Sequence, residues 1–327
     1  MPAPHRIDVH HHIVSPGFVA ELRVRLQPPT LNWTPERSIE DMDRAGVATA
    51  ITSVTTPGVW IGDDAQGARL ARDSNDYAAR LRSDFPGRFG IFVAVPLPHI
   101  EASLAEIEYG LDTLHADGIA LFTSYRDRWL GDGAFDPVME ELNRRSAVVF
   151  VHPEAPVCCR GLLPGVHEHV LEYGFDTTRA ITNILFSGTA LRYRNIRWIF
   201  SHGGGTTPFL AERLVRAPGI NKALAQHVPD GVMAELRRFH YDVAQIAHPM
   251  ALSALTRLVP TSQMLWGTDF PFRAGIEYVK ALSEFGFGAE DLRNIDRENA
   301  LRLLPRWRQP TLSVPGNDRS KHPTPVR

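Results

Sequence analysis

Cysteine is nearly missing from this chain of 327 residues: there are two, Cys158 and Cys159, and they are adjacent. Neighbouring cysteines rarely bridge each other, so no disulfide framework is expected, and no CxxC spacing marks a thiolate metal site. That usage fits a reducing compartment, and a cytoplasmic location is the expectation. An excess of one charge is missing too. Lys+Arg number 35 against 37 Asp+Glu, for a formal net charge of -2, and no basic block stands out. Nucleic acid is therefore not an expected partner. No apolar run approaches the ~20 residues of a membrane span, and the N-terminus lacks the apolar stretch of a signal peptide, so no membrane partner is expected either. There is no short-period repeat and no Ser/Gly linker in mid-chain. Lysine is absent from residues 1 to 221.

What remains is a globular composition, with 43% hydrophobic and 22% charged residues, long enough for one large domain or two ordinary ones. Arg6 to His12 reads as a short strand near the start. Val47 to Val54, Phe89 to Val95, Gly118 to Phe122, Ala147 to His152, Ile196 to Ser201, Phe239 to Val243 and Met264 to Trp266 read as further strands. Amphipathic stretches lie between them, among them Pro35 to Ala45, Asp63 to Phe85 and Glu172 to Leu191. This alternation predicts an α/β chain folded as a (β/α)8 TIM barrel. A small insertion of about residues 13–46 follows the first strand, with a helix over Phe18 to Leu26 and a break at Gln27-Pro28-Pro29. Residues 1–308 are expected to form a single catalytic domain. The Pro-, Ser- and Lys-rich residues 309–327 are expected to be a flexible tail.

In such a barrel the chemistry collects at the C-terminal ends of the strands. His10 and His12 close the first strand on one face, with His11 on the other. His152 ends Val148-Val149-Phe150-Val151, His202 ends Trp198-Ile199-Phe200-Ser201, and Asp269 follows Leu265-Trp266-Gly267-Thr268. One strand-end histidine is more often structural than catalytic, and one Asp in a turn is more often a cap. Four strands that each end in a metal-competent or proton-transfer group point to a metal site.

Asp8-x-His10-x-His12, Val151-His152-Pro153, Ser201-His202-Gly203-Gly204-Gly205 and Gly267-Thr268-Asp269-Phe270-Pro271 together resemble the amidohydrolase superfamily. The likeness is to the branch typified by aminocarboxymuconate semialdehyde decarboxylase, and it runs from Arg6 to about Leu304. The resemblance implies one divalent metal held by His10, His12, His152 and Asp269. It implies His202 as a catalytic histidine beside the metal rather than a ligand. It implies no organic cofactor. In that branch an arginine on the helix after the triple glycine enters the neighbouring subunit's site, so Arg213, which sits at that place, implies a homodimer. Some aromatic-acid decarboxylases of the branch replace the first histidine of the HxH pair with glutamate; this chain keeps both. Dinuclear amidohydrolases bridge two metals with a modified lysine on a middle strand, where this chain has His152 and no lysine nearby. Zinc is the first expectation for the metal and manganese the second.

The same resemblance leaves two reactions open. A hydrolase of a lactone or ring-fission product would use a metal-bound water made nucleophilic. A non-oxidative decarboxylase would chelate an aromatic carboxylate and its ortho hydroxyl, and protonate the ring carbon from an acid such as Asp269, tuned by His202. The stretches Phe122 to Asp132 and Ser53 to Gly58 look like the corresponding loops of 6-methylsalicylate decarboxylases. They favour a salicylate-like substrate, with Trp60, Thr123, Ser124 and Tyr125 lining its pocket and Phe186 and Phe272 as aromatic walls. Arg213 would contact it from the neighbouring subunit.

Overall fold

The structure, a computed structural model, describes residues 4–308. The tail expected at 309–327 lies outside the described residues. Eight parallel strands form one sheet in sequence order: β1 (Arg6–Ile13), β2 (Val47–Val54), β3 (Phe89–Ala94), β4 (Gly118–Phe122), β5 (Val148–His152), β6 (Arg197–Phe200), β7 (His240–Asp242) and β8 (Met264–Leu265). The first and last are tied across the seam. The Val9 amide donates to the Trp266 carbonyl (3.0 Å), the Asp269 amide to the His10 carbonyl (2.8 Å), and the His12 amide to the Phe270 carbonyl (2.8 Å). A sheet closed in this way, with helices between successive strands, is the barrel that the strand–helix rhythm predicts.

Two apolar layers hold it. Ile7, Val9, Ile51, Phe92, Phe150, Ile199 and Leu265 cluster together, and Leu301, Leu303 and Leu304 from the C-terminal helix pack against them. A larger cluster lies between strands and helices, around Phe18, Met42, Leu70, Ile184 and Leu255. The strand register slips between Asp8 and His11, an irregularity that breaks the regular ladder to β2 where the histidines begin.

The insertion shows how local chemistry sets its elements. Thr34 caps the helix Pro35–Ala45 by accepting from the Arg37 amide, Pro35 occupies the first turn where no amide is needed, and Gly46 ends it at φ +67°. The helix expected over Phe18 to Leu26 is shorter: Pro16–Leu22, followed by a 3-10 turn at Arg23–Arg25. Nor is Gln27-Pro28-Pro29 a plain break. The two prolines open a four-residue helical turn, Pro28–Leu31, since both sit where helix amides have no intrahelical acceptor. The helix expected to run from Glu172 to Leu191 stops at Phe186, because Gly188 turns left-handed at φ +81° before the short helix Thr189–Arg192.

Candidate metal centre

His10, His12, His152 and Asp269 meet at the C-terminal rim of the barrel, their ligand atoms all within 4.8 Å of one another. Each is almost wholly buried, from 0% exposure at His10 and His12 to 6% at Asp269. The ring nitrogens facing away from the centre are fixed by neighbours. His10 Nδ1 meets Asp242 Oδ2 at 2.8 Å, His152 Nδ1 meets the Pro153 carbonyl at 2.8 Å, and His12 Nδ1 lies 3.3 Å from Ser53 Oγ. Imidazoles held this way present Nε2 inward as a lone-pair donor.

The fit to a cation can be tested on distances. His10 Nε2 and His12 Nε2 are 3.2 Å apart, and lie 3.2 and 3.1 Å from Asp269 Oδ1. Donors about 2.0–2.1 Å from a tetrahedral first-row ion are separated by about 3.3 Å. Asp269 Oδ1 is buried without a hydrogen-bond partner among the described residues, although two ring nitrogens crowd it. Donors that share an ion rather than a proton behave so. The other oxygen, Oδ2, is occupied: Gln245 Nε2 donates to it at 2.9 Å and His202 Nε2 stands at 3.3 Å. The residues present fit one divalent metal ion.

The electrostatics agree. Burial pushes His152 well below the usual histidine range, and the neighbouring His12, His10 and His202 push the same way. His12 is lowered by burial despite its contact with Asp269. Burial also opposes charge on His10, but the Asp242 and Asp269 carboxylates overcome it and raise the ring to about 10. In Asp269 the cost of burial is outweighed by the charge on His10 and by the close approach of the His10, His12 and His202 rings, which together hold the carboxyl well below its usual range. The carboxylates thus create a demand for positive charge at the centre of the quartet.

Both His202 (φ +52°) and Asp269 (φ +62°) sit in the left-handed region, a conformation that non-glycine residues keep only when the surroundings enforce it. The His202 amide donates to Asp242 Oδ1 (2.9 Å), so one buried carboxylate holds both His10 and His202. Asp8 plays the matching part below Asp269. It accepts from the His10 amide (3.0 Å), the Thr268 amide (3.1 Å) and the Thr268 hydroxyl (2.6 Å), and touches His11 Nδ1 at 3.1 Å. Gly267 is required here, since a Cβ would lie 2.9 Å from that of Asp242 and 3.0 Å from that of His10.

Asp242, Gln245 and the supporting role of Asp8 escape the sequence reading. A strand-end rule could have found Asp242, which ends β7; reading that strand through Val243 hid it. Asp176 escaped as well. Wholly buried on the helix Glu172–Phe186, it accepts from the Thr123 hydroxyl, from Ser124 Oγ (3.1 Å) and from Trp129 Nε1 (2.5 Å).

A cavity of about 230 Å³ opens above the quartet, lined in part by Thr56, Glu154, Tyr173 and Phe272. The Phe272 ring is 6.0 Å from that of His12, and the Tyr173 ring 6.1 Å from that of His152. Burial raises Glu154 to about 7 against the pull of Arg160, and Tyr173 to about 12. A neighbouring chamber of about 260 Å³ shares Arg25, Pro57, Glu154 and Arg160 with the first and adds Trp60, Ser124 and Tyr125.

The remaining expected residues fall elsewhere. Thr123 is wholly buried, donating to Asp176 and accepting from the Glu154 amide (3.2 Å), so it supports the chamber wall rather than lining it. Phe186 is not a wall of this cavity. It ends a helix whose first turn carries Tyr173; thirteen residues at ~1.5 Å rise take it about 20 Å away, into an outer groove with Phe175 and Leu210. Arg213 lies on the exposed face of the helix Thr207–Ile220, away from its own chain's centre.

Residues 7–306 match the model of the amidohydrolase family. The decarboxylase yanB of Aspergillus niger is 36% identical over 93% of this chain and 89% of its own length. A 6-methylsalicylic acid decarboxylase of Penicillium expansum is 36% identical over 92% of this chain and 96% of its own. Among solved structures, an amidohydrolase II superposes with a TM-score of 0.85 at 25% identity, covering 92% of this chain and 99% of the other. By these matches over nearly its whole length, the chain belongs to the amidohydrolase family.

Proposed function

We propose that the protein is a metal-dependent, non-oxidative decarboxylase of a hydroxylated aromatic acid of the salicylate type, 6-methylsalicylate included. The observation that carries this reading is the buried quartet with Asp269 Oδ1 unpartnered at its centre, in a chain whose 36%-identical relatives are named decarboxylases. His10, His12, His152 and Asp269 would hold the ion. Once bound, it would supply the positive charge that anchors a substrate carboxylate and ortho oxygen. Zinc suits three imidazoles and a carboxylate with an open position, and manganese is the alternative outcome.

The chain's own groups supply the rest. Phe272 and Tyr173 flank the aromatic ring. Asp269, ionised at rest, relays a proton to the ring carbon that bears the carboxylate; the carbon–carbon bond then breaks, its electron pair returns to the ring, and carbon dioxide leaves. His202, at 3.3 Å from Oδ2, hands Asp269 its proton and steadies the charge it leaves behind. Arg213, exposed on its own chain, reaches the site of a second copy in a homodimer. No organic cofactor takes part, and the cytoplasm is the proposed location.

Elemental analysis paired with carbon dioxide release from a panel of ortho-hydroxybenzoates tests the reading. One zinc or manganese per chain and carbon dioxide from at least one acid are expected. Bound metal with no carbon dioxide from any acid would move the assignment to hydrolysis by the same residues. Asp269→Asn should abolish turnover; full turnover in that variant would end the proposed proton transfer.

A further inference from the structure

Cys158 and Cys159 play no part in the metal centre, yet their place is specific. They lie in the segment that leads from β5 over the cavity mouth, within the 3-10 turn Val157–Cys159. Their sulphurs face each other at 2.8 Å, and neither is buried. The two residues that flank them both line the outer chamber: Val157, 54% exposed, and Arg160. Arg160 is held over the mouth by its own contacts, Nη2 to Glu154 Oε1 at 2.5 Å and Nε to the Ala155 carbonyl at 2.9 Å. The turn itself rests on one bond, from the Cys159 amide to the Pro156 carbonyl (2.9 Å), and Gly161 at φ +67° allows the chain to swing directly after Arg160.

We propose that Cys158 and Cys159 are a dithiol modification site, which a small-molecule disulfide oxidises to an intramolecular bridge, and that closing the bridge moves Arg160 and so changes substrate binding at the mouth. A Cys158 thiolate attacks one sulphur of the small disulfide and expels one thiolate. The Cys159 sulphur then attacks the mixed disulfide and expels the second. Two protein thiols are oxidised, and the two protons they lose pass to the expelled thiolates, so the small disulfide leaves as two thiols. Cys158 is the exposed thiol and Cys159 the partly covered one, raised by the thiol beside it, which places the first attack at Cys158. Adjacent Cα atoms stand about 3.8 Å apart, below the ~4.4–6.8 Å usual for disulfides, so the eight-membered ring cannot form on an undisturbed 3-10 turn and is readily reduced again. That disturbance is what reaches Arg160, the next residue in the chain.

The chain has no other cysteine, so thiol counting reads this pair alone. The metal-loaded protein is incubated with glutathione disulfide, and free thiols, intact mass and kinetics are followed. Expected are loss of both thiols, a mass lower by two hydrogens with no glutathione adduct, and a KM shifted by about threefold or more with kcat little changed. A dithiol reductant should reverse all three. Cys158→Ser and Cys159→Ser should each stop at a glutathione adduct, and the double serine variant should keep its basal activity and ignore the oxidant. Persistence of both thiols, a stable glutathione adduct on the unaltered protein, covalent dimers, or an unchanged KM in the bridged protein would each overturn the proposal. Thiol count and mass do not depend on which reaction the enzyme catalyses, so failure here is distinguishable from failure of the decarboxylase reading.

Discussion

In the floor of the reaction chamber, Asp8 binds Thr268 across 260 residues of chain and Asp242 binds His10 across 232. In its roof, residues 154–171, several bonds are local: Arg160 to Glu154 and Ala155, the Gly161 amide to Glu168 Oε1, His169 to His167. The floor is dry, with His10, His12, Asp8 and Asp242 all at 0% exposure. The roof leaves Leu162, Leu163, Val166 and Val170 in the open. A ligand set that must hold donors near 3.2 Å apart needs rigid strands and buried carboxylates to enforce it. A segment that only selects what enters can be built on short-range turns, and can change without cost to the barrel.

That contrast can be broken or sharpened by substitution. Asp8→Ala should have the largest effect, a loss of about 3–5 kcal/mol in urea unfolding, because it strands buried donors of His10 and Thr268 and the His11 ring. A loss below about 1 kcal/mol would mean that the seam between first and last strands does not depend on this carboxylate. Asp242→Asn should keep the fold but present an amide to His10 Nδ1, lowering metal affinity by about 10–100-fold in a chelator competition titration. Undiminished affinity would show that His10 is oriented by packing alone. Arg160→Ala, in the roof, should raise KM by about 3–10-fold while kcat stays within about twofold and metal content is unchanged. A fall in metal content there would erase the distinction between the two tiers.

The three histidines of the quartet were legible as strand-end residues because the strands that carry them are apolar runs with clear ends, and Asp269 because it follows one. Asp242 was harder, since β7 is a three-residue strand whose end cannot be read to within one position. Trp60, Ser124 and Tyr125 fall together in the outer chamber, while Phe186 does not approach it, because a helix carries its two ends to opposite sides of the barrel and no local pattern states which end faces the chemistry. Asp176 looked like any polar residue on an amphipathic helix; only the hairpin folded over it makes it an acceptor for three side chains.

By itself, the sequence determined the alternation of strand and helix, the barrel that follows from it, and the residue types poised at the rim, because periodicity and strand termination are local properties of the chain. Only the tertiary structure decided which nitrogen of each histidine faces the centre, which oxygen of Asp269 is left unpartnered, and which buried carboxylates hold them there. Those are contacts between residues hundreds of positions apart, and they exist only once the first strand and the last have closed on each other.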